Sequence, residues 1–235
     1  MNAAELYKAG HLDQAIEALG TGLRDNPADA RGRTFLFELL CFAGSFDRAE
    51  KQLDVLAREG HEAETGALLY RGALHAERIR QEMFEKGELL PATTEPAPVS
   101  GTLNGQPFES LEDADPRIGA RLELFVAGQY TWLPLEHIES VTMEPPRRLR
   151  DLLWAPVVVR PSRRMQELEL GEVLMPVLTP GAWRHHDEQV RLGRVTEIED
   201  LADGRAVPVG QKLWLVDGGE MPLLELRELT IAPRE

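Results

Sequence analysis

The residues with the clearest capacity for chemistry are the adjacent histidines His185 and His186 and the carboxylate of Asp187 that follows them. Imidazole nitrogens and carboxylate oxygens are common ligands of zinc and other transition metals. Neighbouring side chains in a strand point to opposite faces, so the two histidines would reach one ion only from a loop. We therefore interpret the segment as a polar surface loop between strands. A metal-dependent enzyme or small-ligand-binding protein that uses this region remains the alternative function.

Other catalytic signatures are absent from the sequence. It contains no His-x-x-x-His pair, no Cys-x-x-Cys pair, no Gly-x-Ser-x-Gly motif and no glycine-rich phosphate loop. The single cysteine, Cys41, lies in an apolar stretch with Leu39, Leu40 and Phe42. This setting favours a small buried side chain over a nucleophile. We therefore predict no catalytic residue, no metal, no cofactor and no enzymatic activity.

The charge distribution argues against nucleic acid and membranes as partners. Lys and Arg number 26 against 40 Asp and Glu, a net charge of -14, which repels phosphate backbones and anionic lipid headgroups. One cluster of basic residues has the charge to bind an acidic partner segment or RNA, although arginines that simply face solvent are the simpler interpretation. It consists of Arg147, Arg148, Arg150, Arg160, Arg163 and Arg164. The sequence shows no run of 18 apolar residues and no secretory signal, so we expect a cytoplasmic protein.

Two early segments of the chain repeat at a spacing of 34 residues. The segment AGHLDQA over residues 9–15 aligns with AGSFDRA over residues 43–49, and 34 residues is the period of the tetratricopeptide helical hairpin. Gly10 and Gly44 suit the tight turn between two helices. The repeat predicts a tetratricopeptide-like superhelix, with a plain helical bundle as the alternative.

A third helical unit begins near residue 62 and continues without a break to about Lys86, where Gly87 provides a stop signal. We expect one long capping helix and about five helices in the first 86 residues, with the helical domain spanning residues 1–87. The side chains predicted to form the buried side of the capping helix are Leu68, Leu69, Ala76, Ile79 and Phe84.

A proline-rich linker is predicted over residues 88–99, and from about residue 100 the apolar period changes to two. Leu122, Leu124 and Val126 alternate with other residues before the turn Ala127-Gly128-Gln129. Residues 100–235 are therefore predicted to form a small β-rich domain, barrel-like or a sandwich, which makes the fold class α+β with two domains. Further strands are expected over residues 157–159, 173–178, 190–195, 212–216 and 224–231, with one or two helical turns over 146–153.

Five strings in the β-rich half, in this order, resemble one protein family. They are Tyr130-Thr-Trp-Leu-Pro-Leu135, Leu149-Arg-Asp-Leu-Leu-Trp-Ala-Pro156, Gly171-Glu-Val-Leu-Met-Pro-Val-Leu178, Val190-Arg-Leu-Gly-Arg194 and Leu223-Leu-Glu-Leu-Arg227. Together with the Ala-Gly-x-x-Asp-x-Ala helical start, they make nearly the whole chain similar to the ImpE/SciE family, also called TagJ, whose members are accessory proteins of bacterial type VI secretion.

The resemblance implies a cytoplasmic, non-enzymatic protein that binds a helical segment of the sheath subunit TssB. Through TssB it would act on the contractile sheath, which also contains TssC, and on the recycling of the sheath by the ATPase ClpV. A tetratricopeptide array offers a concave face that accepts a helix or an extended peptide. By the repeat register, the first helix of the second unit lines that face, and its candidate partner-binding residues are Arg31, Thr34, Glu38 and Phe42.

Overall fold

The computed structural model describes residues 1–89, 98–162, 165, 170–201 and 203–233. Most of the predicted linker, together with Arg163 and Arg164, lies outside these residues. Among the described helices, none combines the length and apolar character needed to cross a bilayer. The α-helices are α1 (Ala3–Ala9), α2 (Leu12–Asp25), α3 (Ala30–Phe42), α4 (Phe46–Leu56), α5 (His61–Lys86) and α6 (Glu188–Arg191).

Helices α1 to α5 form tetratricopeptide-like hairpins, as predicted from the 34-residue spacing. Gly10 joins α1 to α2 with a φ of 89°, and Gly44 joins α3 to α4 with a φ of 65°, a left-handed conformation that glycine adopts without steric penalty. Helix α2 buries the stripe Leu12, Ala15 and Ile16. The long helix predicted to end near Lys86 is also confirmed, since α5 has 26 residues and Gly87 is its C-cap.

One prediction about α5 is wrong. Leu68 and Leu69 do not belong to its buried side, because their exposed fractions are 68% and 54%, respectively. Ala76 is buried, and Ile79 and Phe84 pack against the core as expected. The first half of α5 thus presents two apolar side chains to solvent, whereas the apolar side chains of its second half pack against the core.

The second half of the chain consists of antiparallel sheets, in agreement with the predicted β-rich fold. Its main sheet has the strand order β2-β1-β13-β6-β7-β8-β4-β5, and smaller sheets pair β12-β11-β3 and β10-β9. The strands are β1 (Gly101–Leu103), β2 (Gln106–Phe108), β3 (Leu111–Asp113), β4 (Arg121–Val126), β5 (Gln129–Pro134), β6 (Ile138–Met143), β7 (Trp154–Pro161), β8 (Gly171–Pro176), β9 (Glu197–Asp200), β10 (Ala206–Val209), β11 (Leu213–Val216), β12 (Gly219–Pro222) and β13 (Glu228–Ile231).

Local sequence patterns predicted some of these elements correctly and others wrongly. Ala127 and Gly128 turn β4 into β5 with positive φ values, as the sequence predicts. The strand expected over residues 190–195 is wrong, because Asp187 accepts a 2.7 Å hydrogen bond from the backbone of Gln189 and thereby caps the short helix α6. The last strand is also shorter than expected, since a 3-10 helix occupies Leu223–Glu225 before β13.

The helices and the main sheet share one hydrophobic core. Tyr70 of α5 stacks on Trp154 of β7, with ring centres 6.3 Å apart and planes inclined by 27°. Phe37 of α3 packs on the same tyrosine at 6.0 Å, and Phe125 of β4 joins this core. A second core lies within the β-rich half. The division into separate domains at residues 1–87 and 100–235 stays a prediction.

Candidate partner-binding groove

A groove of about 900 Å³ lies where α3, the end of α4, the first half of α5 and one loop of the β-rich half meet. We call it the α3–α5 groove. Its lining combines apolar side chains from the helices with charged groups at the wall: Ala30, Arg31, Thr34, Phe35, Phe37, Glu38, Leu53, Leu56, Glu59, Gly60, His61, Ala63, Gly66, Ala67, Leu69, Tyr70, Arg148 and Arg150.

Three of the four predicted partner-binding residues line this groove. Arg31, Thr34 and Glu38 succeed one another along α3 at helical spacing. Phe42 requires a correction: it is fully buried, with 0% exposure, and lies in the core between the helices and the sheet. The reason is that every residue of α3 from 36 to 42 is buried and, among these, only Phe37 and Glu38 line the groove, so the repeat register alone misplaces Phe42.

The apolar floor of the groove was not predicted from the sequence, because its residues come from three different helices. Phe35 of α3, Leu53 and Leu56 of α4, and Ala67 and Leu69 of α5 contribute to it. Periodicity assigns such residues to a helix–helix core and does not indicate that part of their surface lines an open groove. The exposure of Leu69 is the one feature that separates it from ordinary core leucines.

The β-rich half contributes Arg150 to the wall of the groove, from a 3-10 helix over Leu149–Leu152. Asp151 fixes this turn by accepting hydrogen bonds from the backbone of Arg147 and Arg148 at 2.8 and 2.9 Å. The guanidinium carbon of Arg150 lies 4.7 Å from the ring centre of Tyr70, a cation–π distance. Arg150 is therefore held over the tyrosine at the boundary between the two halves.

Glu38 is the acidic counterpart of Arg150 within the groove. Its carboxylate Oε1 lies 3.8 Å from Nη1 of Arg150, an ion-pair distance that is too long for a hydrogen bond. Burial raises the pKa of Glu38, and the positive charge of Arg150 opposes that rise. Burial likewise raises the pKa of Tyr70. Arg31, Arg148 and Arg150 outnumber Glu38 and Glu59 in the lining, so the groove carries a small local positive charge in a protein whose net charge is -14.

The prediction of a surface loop at His185 and His186 is wrong for His185, which is buried, whereas His186 is exposed. The side chain of His185 is only 3% exposed, and its Nε2 lies 3.5 Å from carboxylate oxygens of both Glu197 and Glu199 on β9. Its Nδ1 accepts a hydrogen bond from the backbone of Asp187. Within the described part of the chain, no three His, Cys, Asp or Glu side chains are arranged to hold one metal ion.

A buried ionic network joins α5 to the β-rich half and was not recognised from the sequence. Arg80 of α5 donates to Glu123 of β4 at 2.7 Å and to Glu77 at 3.1 Å. Lys212 pairs with Glu123 and, at 2.7 Å, with Asp113 of β3. Burial by itself would raise the pKa of Glu123, but Arg80 and Lys212 outweigh it and hold the pKa at about 2. The network anchors the second half of α5, beyond the groove.

Cys41 is buried, as expected for a small apolar side chain. Burial raises the pKa of its thiol well above the ordinary value, with nearby Glu38 and Glu77 adding to the effect. A thiol in this state is a poor nucleophile. It belongs to the core that the helices share with the main sheet.

Comparisons with known proteins agree with this architecture. Residues 105–230 match the family model described as ImpE protein, and residues 6–70 match a tetratricopeptide repeat model. The chain is 34% identical to the type VI secretion system accessory component TagJ of Pseudomonas aeruginosa, over the whole of this chain and 92% of that protein. A crystal structure of a protein from Vibrio parahaemolyticus has the same fold, with a TM-score of 0.85, 24% identity, and 99% and 98% of the two chains covered. The protein therefore belongs to the ImpE family.

Proposed function

We propose that this protein is a non-enzymatic adaptor of the type VI secretion system that binds a helical segment of the sheath subunit TssB. By holding that segment it modulates assembly of the TssB–TssC sheath or its disassembly by ClpV. The observation that carries the proposal is the α3–α5 groove, open to solvent and formed in part by the face of α3 that includes Arg31, Thr34 and Glu38. The similarity to an accessory component of this secretion system supports the same assignment.

The groove has the chemistry of a helix-binding site. Phe35 and Leu56, which are both partly exposed, offer apolar surface for one face of an amphipathic helix. Exposed Leu69 of α5 adds to the same apolar surface. Arg31 and Arg148 stand at the wall, where charged residues of a bound helix would lie. A helix with side chains is about 10 Å wide and rises about 5.4 Å per turn, so a groove of about 900 Å³ accommodates about two of its turns.

Calorimetric titration of the full chain with the cognate TssB tests the proposal. We expect a dissociation constant in the micromolar range, and Leu69→Asp should weaken binding by about tenfold or more because it places a charge on the apolar surface. Ile198→Asp is the matched control, since Ile198 is an equally exposed apolar residue on β9 that does not line the groove. Absence of binding at about 100 μM wild-type protein would contradict the proposal.

Modulation of the sheath needs its own measurement. Purified TssB–TssC sheaths are incubated with ClpV and ATP, and disassembly is followed by light scattering with and without this protein. We expect the rate of disassembly to change in the presence of the wild type and to change much less with Leu69→Asp. Equal rates under all conditions would leave TssB binding intact but contradict a role in sheath turnover.

A further inference from the structure

We infer that the α3–α5 groove selects a helix that carries an acidic side chain, and that Arg150 is the specificity-determining residue that receives this carboxylate. The inference rests on the proposed function, since it takes the groove as the partner site. It adds the chemistry by which the partner helix is recognised and the residue of the β-rich half that recognises it.

The hydrogen-bonding capacity of Arg150 is unused. Among the described residues, none accepts a hydrogen bond from its guanidinium, and its buried Nε has no acceptor at all. The nearest carboxylate, Glu38, is 3.8 Å away from Nη1. The two Nη nitrogens likewise donate no hydrogen bond within the described residues, and the side chain is partly exposed, so a carboxylate brought in by a partner would accept hydrogen bonds that the free protein does not make.

The position of Arg150 is fixed before any partner arrives. Its guanidinium lies over Tyr70, and Tyr70 in turn stacks on Trp154. Asp151 holds the turn that carries the arginine. About 18% of the side chain remains exposed, so the guanidinium is accessible from the groove. A planar, pre-positioned guanidinium suits two-point hydrogen bonding to a carboxylate, and little side-chain entropy is lost on binding.

Charge complementarity points to an acidic partner rather than an apolar one alone. In the described part of the chain, neither Arg31 nor Arg148 has a carboxylate within 4.0 Å of its guanidinium, although both line the groove. Among the residues that line the groove, Arg31, Arg148 and Arg150 outnumber the carboxylates of Glu38 and Glu59. The groove is therefore locally positive in a protein with 40 acidic residues, and it attracts an incoming negative charge.

The experiment uses synthetic peptides that span the helical segments of the cognate TssB, together with variants in which each Asp or Glu is changed to Asn or Gln. Each peptide is titrated calorimetrically into wild-type protein and into Arg150→Gln. We expect one acid-to-amide change to weaken binding to the wild type by about tenfold or more, the loss associated with a charged hydrogen bond. The same change should have no further effect on Arg150→Gln, because the two groups act as a pair.

Two further variants separate recognition from folding. Arg150→Lys keeps the charge but loses the planar fork, so we expect it to bind with intermediate affinity. Arg78→Gln is the matched control, a half-buried arginine of α5 outside the groove, and it should bind the peptide like the wild type. Thermal melting of all variants shows that the folded protein is being compared.

The outcomes distinguish a failure of acidic recognition by Arg150 from a failure of the groove as the partner site. If peptides without any acidic residue bind the wild type equally well, and Arg150→Gln changes nothing while Leu69→Asp still weakens binding, the acidic recognition is wrong and the groove assignment stands. If neither peptides nor intact TssB bind the wild type, both fail. Binding of a single-stranded oligonucleotide that is lost in Arg150→Gln would assign the arginines to nucleic acid and overturn the inference.

Discussion

Glu123 is the residue on which the attachment of α5 to the β-rich half depends most directly. It is fully buried and accepts hydrogen bonds from Arg80, Lys212 and the hydroxyl of Tyr130. Two cations therefore share one carboxylate in the interior. Removal of one member of such a buried network leaves the other charges without compensation, which is more harmful than replacing the whole network with apolar groups.

Glu123→Ala should lower the free energy of unfolding by about 3–5 kcal/mol, because Arg80 and Lys212 lose a buried counter-charge. Urea denaturation followed by circular dichroism measures the change. Glu82→Gln serves as the control, since Glu82 is an exposed carboxylate paired with Lys86 on the surface of α5, and it should leave the denaturation midpoint unchanged. A loss below about 1 kcal/mol in Glu123→Ala would mean that the network does not hold the two halves together.

Asp113 gives the same network a pH dependence with an unusual sign. Three carboxylates face two cations, so one negative charge is in excess. Burial raises the pKa of Asp113 from 3.8 to about 6, against the attraction of Lys212. At pH values between 3.8 and about 6, Asp113 is therefore protonated to a greater extent in the folded state than in the unfolded state. The contribution of Asp113 to stability therefore rises as the pH falls from 6 towards 4.

Comparison with Asp113→Asn isolates this effect, because asparagine does not titrate. The free energy of unfolding of the wild type relative to the variant should increase on acidification from pH 7 to pH 4, by at most about 1.4 kcal/mol per pH unit. Urea denaturation of both proteins at several pH values provides the measurement. A difference that stays constant, or that shrinks as the pH falls, would contradict the raised pKa.

At the scale of elements, the turn between α3 and α4 is fixed by Gly44 for two independent reasons. Its φ of 65° is a left-handed conformation, and a Cβ at this position would lie 2.3 Å from the ring of Trp183. The turn of the second helical hairpin is thus in direct contact with the β-rich half. Any side chain here strains the backbone and also displaces the tryptophan.

Gly44→Ala should therefore destabilise the protein by about 1–3 kcal/mol. Gly20→Ala is the opposite case, because Gly20 lies inside α2 and a Cβ there would meet no atom within 4 Å. It should stabilise the protein by about 0.5–1 kcal/mol through the better helix propensity of alanine. Thermal melting of the two variants beside the wild type is sufficient, and a shift in the same direction for both would refute this interpretation of the turn.

Helix α5 connects the groove to the buried network. Tyr70, beneath Arg150, and Arg80, at the centre of the network, lie roughly 15 Å apart along one continuous helix. The first half of α5 forms part of the groove, while its second half is anchored by buried ion pairs. The position of the groove wall is consequently determined by contacts with the β-rich half as well as by the helical repeats.

At the scale of the whole molecule, the shared core predicts that both halves unfold together. All four tryptophans, at positions 132, 154, 183 and 214, belong to the β-rich half, whereas far-ultraviolet circular dichroism reports mainly on α1 to α5. The urea transitions seen by tryptophan fluorescence and by circular dichroism should coincide in midpoint and slope, the behaviour of a single cooperative unit. Two separated transitions would show that the helical and β-rich parts are independent domains.

The sequence by itself determined the local structure and the family. The 34-residue spacing, the glycines at both hairpin turns and the stop at Gly87 predicted the helices, because backbone conformation and amphipathic period are properties of neighbouring residues. The alternation of apolar residues with a period of two predicted strands in the C-terminal half of the chain, where the structure has them. The strings from Tyr130 to Arg227 identified the ImpE family, and the register of the repeat indicated Arg31, Thr34 and Glu38 as groove residues.

Only the tertiary structure decided which side chains meet and which remain exposed. Arg150 reaches the groove from a segment 112 positions beyond Glu38, Phe42 is covered and Leu69 is not, and His185 is enclosed by the acidic strand β9. None of these facts follows from periodicity, because the exposure of a side chain depends on what packs against its element. The charge and shape of the groove arise from two distant parts of the chain that come into contact only when the helices pack against the sheet.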